Sequence, residues 1–329
     1  MDALASVGLY GDGRQTALSS YENRVYQLYL EDGPAVVAKF YRPGRWSDAQ
    51  ILEEHAFSQA LMAAEIPVVG PLLLEGRSLH HFGGFAFSVS PCRGGRQPEL
   101  DDPDVLEWIG RFLARIHSVG EAQVFVARPA LDLQTFGTEP REWLLAHDKV
   151  PLDVQSSWEK LSQRALDLVA DHAVLAHGDP AEDTDADRIQ LLRLHGDCHP
   201  GNILWTPLDQ PASALPGPHF VDLDDARMGP AVQDMWMLLS GERAQRSHQL
   251  GLLVDGYEQF RPFDRRELAL IEPLRTLRLI HYSAWLARRW DDPTFPRHFP
   301  WFGSSDYWQG QVQMLQDQIE AMQEEPLVV

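Results

Sequence analysis

His195-Gly196-Asp197-Cys198-His199-Pro200-Gly201-Asn202 is the stretch on which the reading of this chain turns. It sets a carboxylate, Asp197, five positions ahead of an amide, Asn202, with a Pro-Gly pair between them to bend the backbone. A loop folded in that way holds the carboxylate beside a reacting hydroxyl while it aims the amide oxygen at a metal ion. Further along, Phe220-Val221-Asp222-Leu223-Asp224-Asp225 closes an apolar run with acids. Strand alternation predicts Asp222 and Asp224 on one face and Asp225 on the other. A hard divalent ion bridging phosphate oxygens takes one or two protein carboxylates, which selects Asp222 first and Asp224 in reserve.

The remaining residues around that loop read as framework. His195 and His199 stand four apart, but Gly196 and Pro200-Gly201 prevent a helical pair of metal ligands, so both are expected to scaffold the loop. Cys198 is expected to pack. Asp234 is expected either to cap a following helix or to brace the loop backbone.

Composition narrows the class. The chain has 329 residues, and at about 150 residues per domain this suggests two units. A hydrophobic fraction of 44%, with 10 Trp and 14 Phe, is enough to build sizeable cores and excludes a disordered chain. With 48 acidic and 28 basic residues the formal charge is -20, which disfavours nucleic acid and anionic membranes as partners. Cys92 and Cys198 are the only cysteines and form no zinc or disulfide pattern, as in a reducing compartment. The start Met1-Asp2-Ala3-Leu4 lacks a basic signal region, and no apolar run reaches the length of a membrane span. A cytoplasmic protein is expected.

Outward from the loop, short apolar runs at Leu191 to Leu194 and His219 to Leu223 predict the strands that bracket it. Residues 179–187, acidic and containing Pro, predict an exposed loop rather than a calcium cage. Val25 to Leu30 and Ala35 to Phe40, separated by Glu31-Asp32-Gly33-Pro34, predict a hairpin. The spacing of Ile51, Leu52, Ala56, Phe57, Ala60 and Leu61 predicts a helix from Asp48 to Ala63, capped by Ser47 or Asp48 and ended by Ile66-Pro67-Val68. Gly84 to Val89 predicts another strand. Pro91, Gly94 and Gly95 then punctuate the chain, so the division is set near residue 92, giving units 1–92 and 93–329. An amphipathic helix is predicted from Asp101 to Val119. Helices are predicted to dominate beyond Val232, notably Arg266 to Trp290 and Trp308 to Glu324.

Asp197 and Asn202 keep the offset of the kinase catalytic loop H-R-D-x-x-x-x-N. The loop resembles more closely the H-G-D-x-H-x-G-N signature of the aminoglycoside phosphotransferase and choline kinase branch of the protein-kinase-like fold. Ser20-Tyr21-Glu22-Asn23-Arg24-Val25-Tyr26, Val37 to Pro43, His195 to Trp205, Val221 to Arg227, Gly229 to Asp234 and Ala284-Trp285-Leu286 resemble the bacterial stress response kinase A family. That resemblance runs through nearly the whole chain. It implies an α+β, two-lobed fold with a small β-rich N-lobe and a larger, mainly helical C-lobe. It also implies a monomeric, cytosolic serine/threonine protein kinase that uses ATP and magnesium in envelope or oxidative stress responses. By motif position it makes Asp197 the proton acceptor, Asn202 and Asp222 the magnesium ligands, Asp222 also an active-site residue, and Ser20 part of the nucleotide-contacting turn.

Lys39, in a Val-Ala-Lys strand, resembles the lysine that meets the α- and β-phosphates. Glu53 and Glu54 lie on the next helix, where a glutamate is expected to pair with that lysine, and the family pattern favours Glu54. No G-x-G-x-x-G is present. Leu18-Ser19-Ser20-Tyr21-Glu22-Asn23 precedes the first predicted strand instead, so Ser20 and Asn23 are the candidates to approach the nucleotide. Two other readings stay open: a small-molecule kinase for an amino alcohol, sugar or aminoglycoside, and a nucleotide-binding pseudokinase scaffold.

Overall fold

The computed structural model describes residues 1–177, 188–207 and 215–329; the expectation for 179–187 lies outside the described residues. A short helix, α1 (Asp2–Ala5), precedes strands β1 (Gly11–Ala17), β2 (Arg24–Leu30) and β3 (Val36–Phe40). Helix α2 (Asp48–Ala63) follows, then β4 (His80–Phe82) and β5 (Phe85–Pro91). The strands form one antiparallel sheet in the order β1-β2-β3-β5-β4. The hairpin expected from Val25 to Phe40 is β2-β3. The sequence reading missed β1, because Gly-Asp-Gly-Arg-Gln-Thr-Ala is polar and almost wholly exposed, as an irregular edge strand allows. The Ser/Asn turn therefore joins two strands rather than preceding the first.

Helix α2 has the predicted bounds. Ser47 Oγ accepts from the Gln50 N–H and the Gln50 side chain accepts from the Ser47 N–H, a reciprocal cap that fixes its start. Ile51, Phe57 and Leu61 are buried as expected, but Leu52 is exposed and Glu54, His55 and Ser58 are buried in its place. The helix thus turns a polar row inward, a feature that apolar spacing does not report.

The rest is mainly helical: α3 (Pro103–Gly120), α4 (Glu139–Ala146) preceded by a wide turn at Gln134–Thr138, α5 (Leu152–Ala170), α6 (Ala173–His177), α7 (Gln233–Trp236), α8 (Arg243–Tyr257), α9 (Ile271–Arg288), α10 (Thr294–His298) and α11 (Ser305–Ala321). Helices α3 and α8 cross closely enough that a Cβ on Gly110 would lie 2.1 Å from the Leu253 carbonyl oxygen. The large core joins α2, the helices and the loop strands, while a smaller one fills the sheet around Leu28, Ala38 and Phe87. Among the described residues no helix is long and apolar enough to cross a membrane.

Two short ladders embed the deciding loop: β6 (Leu192–Leu194) pairs with β9 (Arg227–Gly229), and β7 (Ile203–Thr206) with β8 (Gly217–Phe220). The strand expected at His219 to Leu223 stops at Phe220. Beyond it, Leu223–Asp225 is a tight helical turn, so strand alternation does not govern the three acids. On its outer side Phe220 pairs with the segment after α2: its N–H donates to the Pro67 carbonyl at 2.8 Å and its carbonyl accepts from Val69 at 3.0 Å.

Candidate active site

The loop from His195 to Asn202 is held in its bend mainly by its own backbone. The N–H groups of His195 and Gly196 both donate to the buried Asp234 carboxylate at 2.8 Å, and His117 Nε2 lies 3.1 Å from the same group. Burial pushes Asp234 up, and the His117 contact and these N–H groups more than offset it, leaving the carboxyl below its ordinary range. Asp234 therefore braces the loop, one of its two expected roles. Gly196 has φ +84, and a Cβ there would meet the Asp225 carbonyl oxygen at 2.1 Å, so glycine alone lets the loop press against the acidic turn.

Beyond Gly196 the bend closes on itself. Asn202 Nδ2 donates to the Asp197 carbonyl at 3.0 Å, and Gly201 N–H donates to His199 Nδ1 at 3.0 Å. His195 reaches the Val221 carbonyl at 2.9 Å. The two histidines thus face different backbone partners. Cys198 is fully buried, and burial raises its thiol well above the ordinary value, as in a packing residue.

Asp222 follows β8 with φ 60 and ψ 60, a left-handed conformation that is costly for a residue with a side chain. This turn leaves its carboxylate about half exposed and within 2.8 Å of Lys39 Nζ. Lys39 also lies 3.1 Å from Asp224. Burial opposes the lysine's charge, but these two carboxylates outweigh it and hold the ammonium protonated well above its usual range.

Two adjoining cavities meet at this point. One, of about 430 Å³, runs beneath the sheet between Val25, Lys39, Glu54, Cys92 and Leu204. The other, of about 520 Å³, is lined by Asp197, Arg278, Tyr282 and Trp285. Ser20, Gly201, Asn202 and Asp222 border both. Sequence reading therefore named residues on either side of a shared boundary.

Two candidates sit differently from expectation. Asn23 is buried and does not line either cavity: its Nδ2 donates to Asp224 at 3.1 Å and its Oδ1 accepts from Arg42 N–H at 3.1 Å. The turn's polar side chain serves the framework because an amide can satisfy a buried carboxylate and a backbone donor together. Glu54 lines the first cavity, yet it accepts from the Ser58 hydroxyl at 2.8 Å and makes no bond to Lys39. Glu53 is occupied elsewhere, accepting from the N–H groups of Val126, Ala127 and Arg128.

Sequence reasoning missed several charged residues. Arg278, on α9, donates to Asp197 Oδ1 at 2.8 Å. Arg45 bridges Asp224 and Asp225, and Arg227 pairs with Asp225 at 2.9 Å. Single arginines on a helix or after a strand carry no pattern of their own, so only the folded chain brings them to the site.

Comparison with other proteins identifies relatives of the chain. A model of a phosphotransferase enzyme family matches residues 14–271. Stress response kinase A of Escherichia coli is 46% identical over 327 residues, covering 99% of this chain and 93% of its own. A Salmonella typhimurium protein named serine/threonine protein kinase RdoA is 43% identical with the same coverage. In fold, a microcompartment-associated aminopropanol kinase aligns over 98% of each chain with a TM-score of 0.70 at 17% identity. Amicoumacin kinase hAmiN, solved with AMP-PNP, Ca2+ and Ami, aligns over 98% of this chain and 93% of its own with a TM-score of 0.69 at 19% identity.

Proposed function

Because the chain belongs to the phosphotransferase enzyme family and has a protein-kinase-like fold, we propose that it moves the γ-phosphoryl group of ATP to a serine or threonine hydroxyl of a protein. The observation that carries this reading is the boundary shared by the two cavities, with Lys39 on one side, Asp197 on the other and Asn202 and Asp222 between. A nucleotide under the sheet would place its phosphates at that boundary. An acceptor hydroxyl in the second cavity would then lie beside Asp197.

Asn202 and Asp222 suit a hard cation. The amide commits its nitrogen to the Asp197 carbonyl and keeps Oδ1 as an oxygen ligand for the cation, while Asp222 meets Lys39 through Oδ1 and keeps Oδ2. These two residues would hold magnesium, which when bound offsets charge on the transferring phosphoryl group. Lys39 steadies the phosphates by its charge, Ser20 offers its hydroxyl from the turn above them, and Asp197 takes the acceptor's proton. Arg278 keeps the Asp197 carboxylate oriented through its 2.8 Å contact. We assign residues 1–92 to the N-lobe, covering the nucleotide, and 93–329 to the C-lobe. The name of the Escherichia coli relative further supports a role in stress response, and we propose that the protein works in the cytoplasm as a monomer.

Incubation with Mg-ATP and acceptor proteins, read by mass spectrometry for phosphoserine and phosphothreonine, tests the proposal. Nucleotide binding without transfer to any hydroxyl would leave only a sensor or scaffold. One observation favours a second reading, a small amino alcohol as acceptor: the second cavity sets the rings of Tyr282 and Trp285 near Asp197, whose charge Arg278 partly offsets. Robust turnover of one such alcohol, with none of proteins, would replace the protein acceptor.

A further inference from the structure

Resting on the phosphotransfer reading, we infer that Asp224, rather than Glu54, is the positioning carboxylate of Lys39. Lys39 has two acidic partners, and they differ in kind. Asp222 is about half exposed and is the residue proposed to hold a cation, so its bond to the lysine competes with that role. Asp224 has a side chain only 5% exposed and lies 3.1 Å from Lys39 Nζ through Oδ1.

The second oxygen of Asp224 is engaged as well. Oδ2 accepts from Asn23 Nδ2 at 3.1 Å and from Arg45, while Arg128 donates to the backbone carbonyl of the same residue. Donors from the β1-β2 turn, from β3 and from the segment after it converge on one buried carboxylate. With both oxygens taken, Asp224 serves as an anchor and not as the reserve metal ligand.

Glu54 has the opposite character. Its oxygens face the Ser58 hydroxyl at 2.8 Å and His55 at 3.7 Å, neighbours on its own helix, and neither oxygen bonds the lysine. Burial, opposed by Lys39 and Arg128, raises its carboxyl above the ordinary value. Taking the anchor from the turn that carries Asp222 ties the lysine directly to the proposed metal-holding segment, without routing the geometry through α2.

Calorimetric titration with Mg-ADP tests this on the full chain, using wild type, Asp224→Asn, Glu54→Gln, Lys39→Met and the Lys39→Met/Asp224→Asn double variant. Asp224→Asn is expected to weaken binding about tenfold, as Lys39→Met does, and the double variant to add less than about threefold, because the two act as one unit. Glu54→Gln is expected to stay within about threefold of wild type. In steady-state assays the magnesium half-saturation of Asp224→Asn is expected to remain that of wild type.

A Glu54→Gln loss equal to that of Lys39→Met, or wild-type affinity in Asp224→Asn, overturns the inference. So does a magnesium half-saturation raised about tenfold in Asp224→Asn, the signature of a metal ligand. Should Asp224→Asn not fold, the comparison of Glu54→Gln with Lys39→Met still decides against the inference if the two losses match, and for it if Glu54→Gln binds like wild type. Wild-type protein that binds Mg-ADP but transfers no phosphate defeats the kinase reading alone, since the affinities are measured without turnover.

Discussion

The indole N–H of Trp285, on α9, donates to the carboxylate of Glu22, in the β1-β2 turn, at 2.6 Å across the mouth of the second cavity. Arg289 approaches the same oxygen at 2.7 Å, and Arg42 lies 3.1 Å from the other. Arg42 continues to Asp292 at 2.7 Å, so the turn is clasped to the helical region. Trp285→Phe removes the donor together with part of the indole that packs against Tyr282, Phe295 and Phe299. Its expected cost is about 2 kcal/mol in urea unfolding, together with severalfold slower transfer at unchanged nucleotide affinity.

Replacement of Asp197 by Asn keeps its shape and removes the proton acceptor. Phosphoryl transfer is expected to fall by about 10² to 10⁴, with Mg-ADP affinity and melting temperature within error of wild type. Retained turnover in a labelled-ATP assay would show that another group takes the proton.

Gly196→Ala places a methyl group against the Asp225 carbonyl at a positive φ. The strain is expected to cost about 3 kcal/mol or more and to lower activity out of proportion, because both candidate segments must shift. A melting temperature equal to that of wild type would contradict the close approach described above.

Asp234→Asn removes the charge that receives His195, Gly196 and His117, and its expected cost is about 3 kcal/mol. The pH dependence has a definite sign. The folded carboxyl lies below its unfolded value, so its contribution is complete above roughly pH 4 and is lost as pH falls through the folded value. Acid unfolding of the variant should accordingly be shallower.

Histidine 55 gives the complementary test at milder pH. Burial, aided by Lys39, lowers His55 to about 4, and its ring lies against the hydroxyls of Tyr41 at 2.7 Å and Ser78 at 2.9 Å. An unfolded histidine protonates below roughly pH 6.5, while this one stays neutral, so it removes about 1.4 kcal/mol of stability per unit of falling pH until the folded value is reached. Urea unfolding of His55→Gln between pH 7 and 5 should show a pH slope smaller by an amount that approaches one proton at the acid end.

The parts legible in the sequence were those governed by short-range rules. The α2 cap, the β2-β3 hairpin and the Asp197-to-Asn202 bend each depend on residues a few positions apart. What escaped depends on meetings across the fold. Edge strand β1 has no apolar alternation to announce it, and Arg278 and Arg45 reach the site from elements far away in the chain. Glu54 was read on the helix where it lies, as the partner of Lys39, but Ser58, one turn along, takes its oxygen. Strand alternation set Asp222 and Asp224 together toward a metal; both instead meet Lys39, from a tight turn that does not follow that alternation.

The two bonds that join Phe220 to Pro67 and Val69 make the segment after α2 a third strand-like edge of the β7-β8 ladder. A rotation of α2 would drag that ladder, and Asp222 two residues past its end, along with it. The same two bonds therefore hold the proposed cation seat and the helix that lines the sheet-side cavity in one register.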